Sequence, residues 1–143
     1  MPDILHDFPI AADARRVFEA VSAPEGLDRW WTKTSAGVPG LGADYKLHFG
    51  PDYDWRARVS RYVPDKEFEL EITDAMDDWR GTRVGFELTV NGSGTQLRFR
   101  HTGWPTLNEH YRISTLCWAM YLRVMRRWLE HGETVEYERR LDV

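Results

Sequence analysis

Through the middle of the chain hydrophobic positions recur with a period of two, and on either side with a helical period. Tyr45, Leu47 and Phe49 alternate with Lys46 and His48. Trp55, Ala57 and Val59 alternate with Arg56, Arg58 and Ser60, and Phe68, Leu70 and Ile72 with Glu67, Glu69 and Glu71. Val84, Phe86, Leu88 and Val90 keep the same rule, as do Leu97, Phe99 and His101 against Gln96, Arg98 and Arg100. Alternation of this kind marks strands with one buried face. Gly50-Pro51-Asp52, Pro64-Asp65-Lys66 and Asn91-Gly92-Ser93-Gly94 lie between the strands as turns. Such short turns predict an antiparallel meander. Ile4 to Pro9 is expected to add a first strand.

Asp13 is placed as an N-cap, and Ala14, Val17, Phe18 and Val21 follow at the spacing of one helix face. Pro24 suits the first turn of a second short helix ending near Trp30-Trp31. Gly37, Pro39, Gly40 and Gly42 mark a loop. A long helix is predicted from Asn108 to His131, with Gly132 stopping it. Its inward stripe is expected to carry Cys117, Tyr121, Val124 and Trp128, with Trp118, Met125 and Leu129 beside it. One long amphipathic helix can bury its stripe only against the apolar face of the sheet. The predicted fold is therefore α+β: a curved antiparallel sheet wrapped around a long C-terminal helix, enclosing a largely apolar cavity. Tyr45, Phe49, Ala57, Phe86, Phe99 and His101 should lie under the helix. The opposite face bears Lys46, His48, Arg56, Arg58, Glu67, Glu69, Glu71, Glu87, Arg98 and Arg100 and reads as solvated.

Composition narrows the function classes. The 143 residues suit one domain spanning 1–143. Seven Trp, six Tyr and six Phe are many for this length and fit an aromatic-lined pocket as well as an aromatic core. The net charge of −4 disfavours nucleic acid as a partner. Cys117 is the only cysteine, so no intrachain disulfide forms. No signal peptide or membrane-spanning run is visible, and a cytoplasmic location is expected.

The order of elements resembles the helix-grip fold of the START-like, or Bet v 1-like (SRPBCC), superfamily. The stretch Ala11 to Val21, the segment Pro24-Glu25-Gly26-Leu27-Asp28-Arg29-Trp30-Trp31 and the hairpin motifs Gly81-Thr82-Arg83-Val84, Gly94-Thr95-Gln96-Leu97 and His101-Thr102-Gly103-Trp104 narrow the match. With Cys117-Trp118-Ala119-Met120-Tyr121-Leu122, where Cys117 replaces the usual glycine, they resemble the branch named for the activator of Hsp90 ATPase. The resemblance implies a fold and a cavity. The superfamily includes lipid carriers, aromatase/cyclases and hormone receptors, so fold alone does not set function.

The expected ligand-binding residues are Tyr45, Phe49, Trp55, Phe86, Phe99, His101, Trp104, Trp118, Tyr121 and Met125. His101 shares the parity of Leu97 and Phe99, so its ring should point inward, as a general acid or base or as a hydrogen-bonded rim residue. Tyr45, Tyr111 and Tyr121 could each offer a hydroxyl to a carbonyl or simply fill the core. Trp79 and Trp104 fall in loops and are candidates for a ligand gate, whereas Trp30 and Trp31 read as structural. The acidic loop with Asp74, Asp77 and Asp78 lacks the EF-hand pattern, and the histidines lack metal-ligand spacing. Neither metal nor cofactor is expected. Ser114 and Cys117 have no patterned His or Asp partner for nucleophilic catalysis. The first expectation is binding of a small hydrophobic or aromatic molecule. The alternatives are a polyketide cyclase/dehydratase-like enzyme, in which His101 and a tyrosine would converge, and a module acting on an Hsp90-type chaperone. A sheet edge or an exposed tryptophan could also pair two copies as a homodimer.

Overall fold

The computed structural model describes residues 2–142. Strand β1 (Ile4–Ile10) leads into helices α1 (Ala14–Ser22) and α2 (Pro24–Trp30). Strands β2 (Thr34–Ala36), β3 (Asp44–His48), β4 (Asp54–Val63), β5 (Glu67–Asp74), β6 (Arg83–Asn91) and β7 (Gly94–Thr102) follow. Helix α3 (Glu109–His131) and a 3₁₀ helix (Tyr137–Asp142) complete the order. The strands form one antiparallel sheet in the order β1-β7-β6-β5-β4-β3-β2. This is the helix-grip α+β fold that the patterns predict. Register shifts between Arg56 and Ala57 and between Val59 and Arg61 interrupt the β4–β5 ladder, the kind of irregularity that bends a strand. Strand β2 is absent from the pattern reading because three residues are too short to show a period.

Local signals set the helices. Asp13 Oδ1 accepts the Arg16 N–H at 2.9 Å and starts α1. Pro24 opens α2. Helix α2 then crosses so close to α1 that a Cβ on Gly26 would lie 2.5 Å from the Glu19 carbonyl oxygen. Trp30 locks the corner, its indole N–H donating to the Ala20 carbonyl at 2.9 Å. Asn108 Oδ1 accepts the Tyr111 N–H at 2.8 Å to begin α3, and Gly132, at φ 68°, ends it.

Two expectations change. The inward stripe of α3 is rotated: Ser114, Trp118, Leu122, Val124, Met125 and Leu129 are buried, while Cys117, Tyr121 and Trp128 are only partly covered. The outer sheet face is also less solvated than its polarity suggests. Glu69 is buried there, held by Arg100 at 2.9 Å and by Ser60 Oγ–H at 2.8 Å, with Arg83 at 3.6 Å. A buried carboxylate persists only when its charge is matched and hydrogen-bonded, and these partners do both.

The 3₁₀ helix carries no apolar period and goes unseen in the pattern. It is anchored by Arg140, which is buried and donates to the carbonyls of Val135 at 3.2 Å, Thr32 at 3.0 Å and Asp28 at 2.5 Å. Five guanidinium N–H donors make arginine suited to such a multi-carbonyl clamp.

Candidate ligand site

Alternation on β7 turns Leu97, Phe99 and His101 toward α3, and the β6 register sets Phe86 beside Phe99 and Val84 beside His101. His101 is fully buried. The Trp118 indole N–H donates to His101 Nδ1 at 3.0 Å, so the neutral ring must carry its proton on Nε2. Nε2–H then donates to Thr82 Oγ1 at 2.8 Å, and the Thr82 hydroxyl donates onward to the Trp79 carbonyl. Every donor and acceptor in this relay has a partner. Burial, helped by the nearby His110, pushes the His101 pKa down to about 3, so the ring is neutral near pH 7. A general base needs a free lone pair, and the one on Nδ1 is occupied.

Around the relay lies a continuous cluster of aromatic rings. Trp118 packs on Phe99 at 4.6 Å between centroids, on Trp31 at 5.0 Å and edge-on to Tyr121 at 6.4 Å. Trp79 packs on His101 at 4.5 Å, on Trp55 at 4.9 Å and on Trp104 at 5.9 Å. Phe49 joins through Trp55 and Phe86 through Phe99. Met125 is buried on the Trp118 stripe of α3, two turns along. Of the residues expected from the sequence, these come together. Tyr45 stands apart: its ring packs on Phe68, and its hydroxyl donates to the Ser22 carbonyl at 2.6 Å. Burial holds that phenol well above its ordinary pKa. The Tyr111 hydroxyl likewise donates to the Asp3 carbonyl at 2.7 Å. Those two tyrosines therefore do not converge with His101 on one point.

Trp79 and Trp104 come from the loops before β6 and after β7, yet both are buried. Their indole nitrogens have no hydrogen-bond partner among the described residues. Asp78 sits next to them. Its Oδ2 accepts from His110 Nδ1 at 2.7 Å and from the Asn108 amide at 3.3 Å, while its buried Oδ1 has no partner. An unsatisfied buried polar group costs about 1–3 kcal/mol, so three in neighbouring residues are expensive unless something else meets them. Thr82 and Trp31 complete the site without having been assigned to it. Thr82 was visible as part of the Gly81-Thr82 motif, but nothing in one sequence ties that hydroxyl to a histidine nineteen positions on.

The model of the family described as Activator of Hsp90 ATPase homolog 1-like protein matches residues 11–130. The chain belongs to this family. Among solved structures, the Aha1 dimer from Colwellia psychrerythraea is 26% identical, covers 93% of this chain and 99% of its own, and superposes with a TM-score of 0.84. CalU16 from Micromonospora echinospora is 18% identical over 98% of this chain and 81% of its own, with a TM-score of 0.74. DynU16, from the dynemicin biosynthetic locus, is 19% identical over 94% of this chain, with a TM-score of 0.78. This chain spans 50% of DynU16. The latter two likenesses concern the fold. No curated protein sequence matches the chain.

Proposed function

We propose that this member of the family binds a small hydrophobic or aromatic molecule between the sheet and α3 without transforming it. The observation that carries this reading is the pair of buried, unpartnered indole N–H groups of Trp79 and Trp104 beside a relay that is already complete. A flat ligand bearing carbonyl or phenolic oxygens would accept those N–H groups, and a phenol could donate to Asp78 Oδ1. Phe49, Trp55, Phe86, Phe99, Trp118, Tyr121 and Met125 would supply apolar wall. Trp79, carried on a loop, would act as the gate that the ligand displaces, while His101 shapes the floor. The setting proposed is the cytoplasm; no helix among the described residues is long and apolar enough to cross a membrane.

Titration with a hydroxyanthraquinone tests the reading. Saturable quenching of tryptophan fluorescence is expected, and Trp104→Phe should weaken binding about three- to tenfold, the worth of one neutral hydrogen bond. Absence of saturable quenching, or unchanged affinity in Trp104→Phe, would overturn it.

We also propose a homodimer. Ile113 and Leu116 lie three residues apart on α3 and are 52% and 63% exposed, with Leu107 at 59% just before the helix. An apolar strip of this kind suits cover by a second copy, and the structurally similar Colwellia protein is described as a dimer. Sedimentation velocity should show a dimer that Leu116→Asp converts to monomer; a monomeric wild type would sink the idea.

A further inference from the structure

A groove of about 360 Å³ runs between β1 and α3. Its walls are His6 and Phe8 from the strand and Ala119, Leu122, Arg123 and Arg126 from the helix. β1 is an edge strand, and on its helix-facing side His6 and Phe8, half-buried between the fully buried Ile4 and Ile10, border the groove. His6 lies opposite Phe99 in the ladder and its ring stacks on that phenyl at 6.0 Å and 22°, which fixes the direction of the imidazole. Its Nε2 is buried and has no hydrogen-bond partner among the described residues.

The charges around the groove are unevenly matched. Asp7, also on the rim, faces Arg98 at 3.6 Å. Glu130 takes Arg126 at 3.3 Å and the Ala11 N–H at 2.8 Å. Arg123 makes no ion pair or hydrogen bond among the described residues. Both local carboxylates are thus occupied, and one guanidinium is left uncompensated beside an unpartnered imidazole nitrogen. Phe8, Ala119 and Leu122 give the same groove an apolar lining. A volume of this size is ordinary for a small-molecule site.

We propose that this groove is a second binding site, selective for a small amphipathic carboxylate. The head group meets Arg123 and His6 Nε2–H, and the apolar body lies on Phe8 and Leu122. Arginine is the side chain best matched to a carboxylate, because its forked N–H groups bind both oxygens. A neutral amphiphile of the same length would gain the apolar contact alone.

Calorimetric titration with octanoate and with 1-octanol tests this directly. Octanoate should bind saturably and at least about tenfold more tightly than 1-octanol, the scale of a charge-assisted hydrogen bond. Arg123→Gln should remove about tenfold of octanoate affinity while the exposed position leaves thermal stability unchanged. His6→Phe should weaken octanoate as well while keeping the stack on Phe99. No octanoate binding, equal affinity for the alcohol, or unchanged affinity in Arg123→Gln would each overturn the proposal. The groove and the aromatic site are separable: Trp104→Phe should leave octanoate binding intact, and Arg123→Gln should leave hydroxyanthraquinone quenching intact.

Discussion

Trp118→Ala is expected to lower the free energy of unfolding by about 3–5 kcal/mol, the range for deleting a large buried aromatic side chain. Trp118 is 1% exposed and touches Phe99, Trp30, Trp31, Trp79 and Tyr121, so its removal opens the centre of the contact between sheet and helix. The packing loss is joined by a polar one. His101 Nδ1 has Trp118 as its donor and would be left buried without it. Trp118→Phe separates the two effects. It retains most of the ring volume but lacks the N–H, and should cost about 1–3 kcal/mol through the orphaned acceptor together with a modest packing loss. Urea unfolding of the three proteins measures both. A phenylalanine variant as stable as the wild type would show that the relay contributes nothing and that Trp118 acts through packing alone.

Much of this arrangement was legible in the chain because strand parity depends only on neighbouring residues. The inward aim of Phe86, Phe99 and His101 follows from alternation. The order of elements follows from alternation taken with the helical periods on either side, and its likeness to the helix-grip fold from the family resemblance. The face of α3 was harder. Apolar or partly apolar residues occupy both the 117/121/124/128 and the 118/122/125/129 positions, two stripes about 100° apart, and helical periodicity cannot choose between them. Trp118 decides the matter through a hydrogen bond to a strand residue, a contact no local pattern encodes. The outer face shows the same division. Alternation assigns Glu69 outward, but its burial depends on Gly85. A Cβ there would lie 2.6 Å from the Arg100 guanidinium, so the glycine lets that side chain lie flat across the strand and reach Glu69. Trp79 and Trp104 read as loop residues and gate candidates rather than core members because their loops have no period. They are buried because the chain folds both loops over the same end of the aromatic cluster.

His101 should also make the protein sensitive to acid in a way that can be isolated. In the unfolded chain the ring takes up its proton near pH 6.5, and in the folded protein only near pH 3. Between those values the unfolded state binds more protons, so stability falls as pH is lowered through this window, by about 1.4 kcal/mol per pH unit. Above pH 7 the ring is neutral in both states and contributes no slope. Protonation is opposed because an imidazolium would be buried among Trp79, Trp104 and Trp118. Its Nδ1–H would also point at the Trp118 indole N–H, replacing a hydrogen bond by two opposed donors. His101→Gln removes the titration while keeping one donor and one acceptor in the side chain. Between pH 7 and pH 4.5 the wild type should therefore lose about 2–3 kcal/mol more stability than His101→Gln. Carboxylates elsewhere affect both proteins alike and cancel in the difference. Urea unfolding across that range gives the two curves. If they run parallel, His101 protonates without penalty in the folded state, and the relay cannot be the closed, neutral chain of hydrogen bonds that its geometry describes.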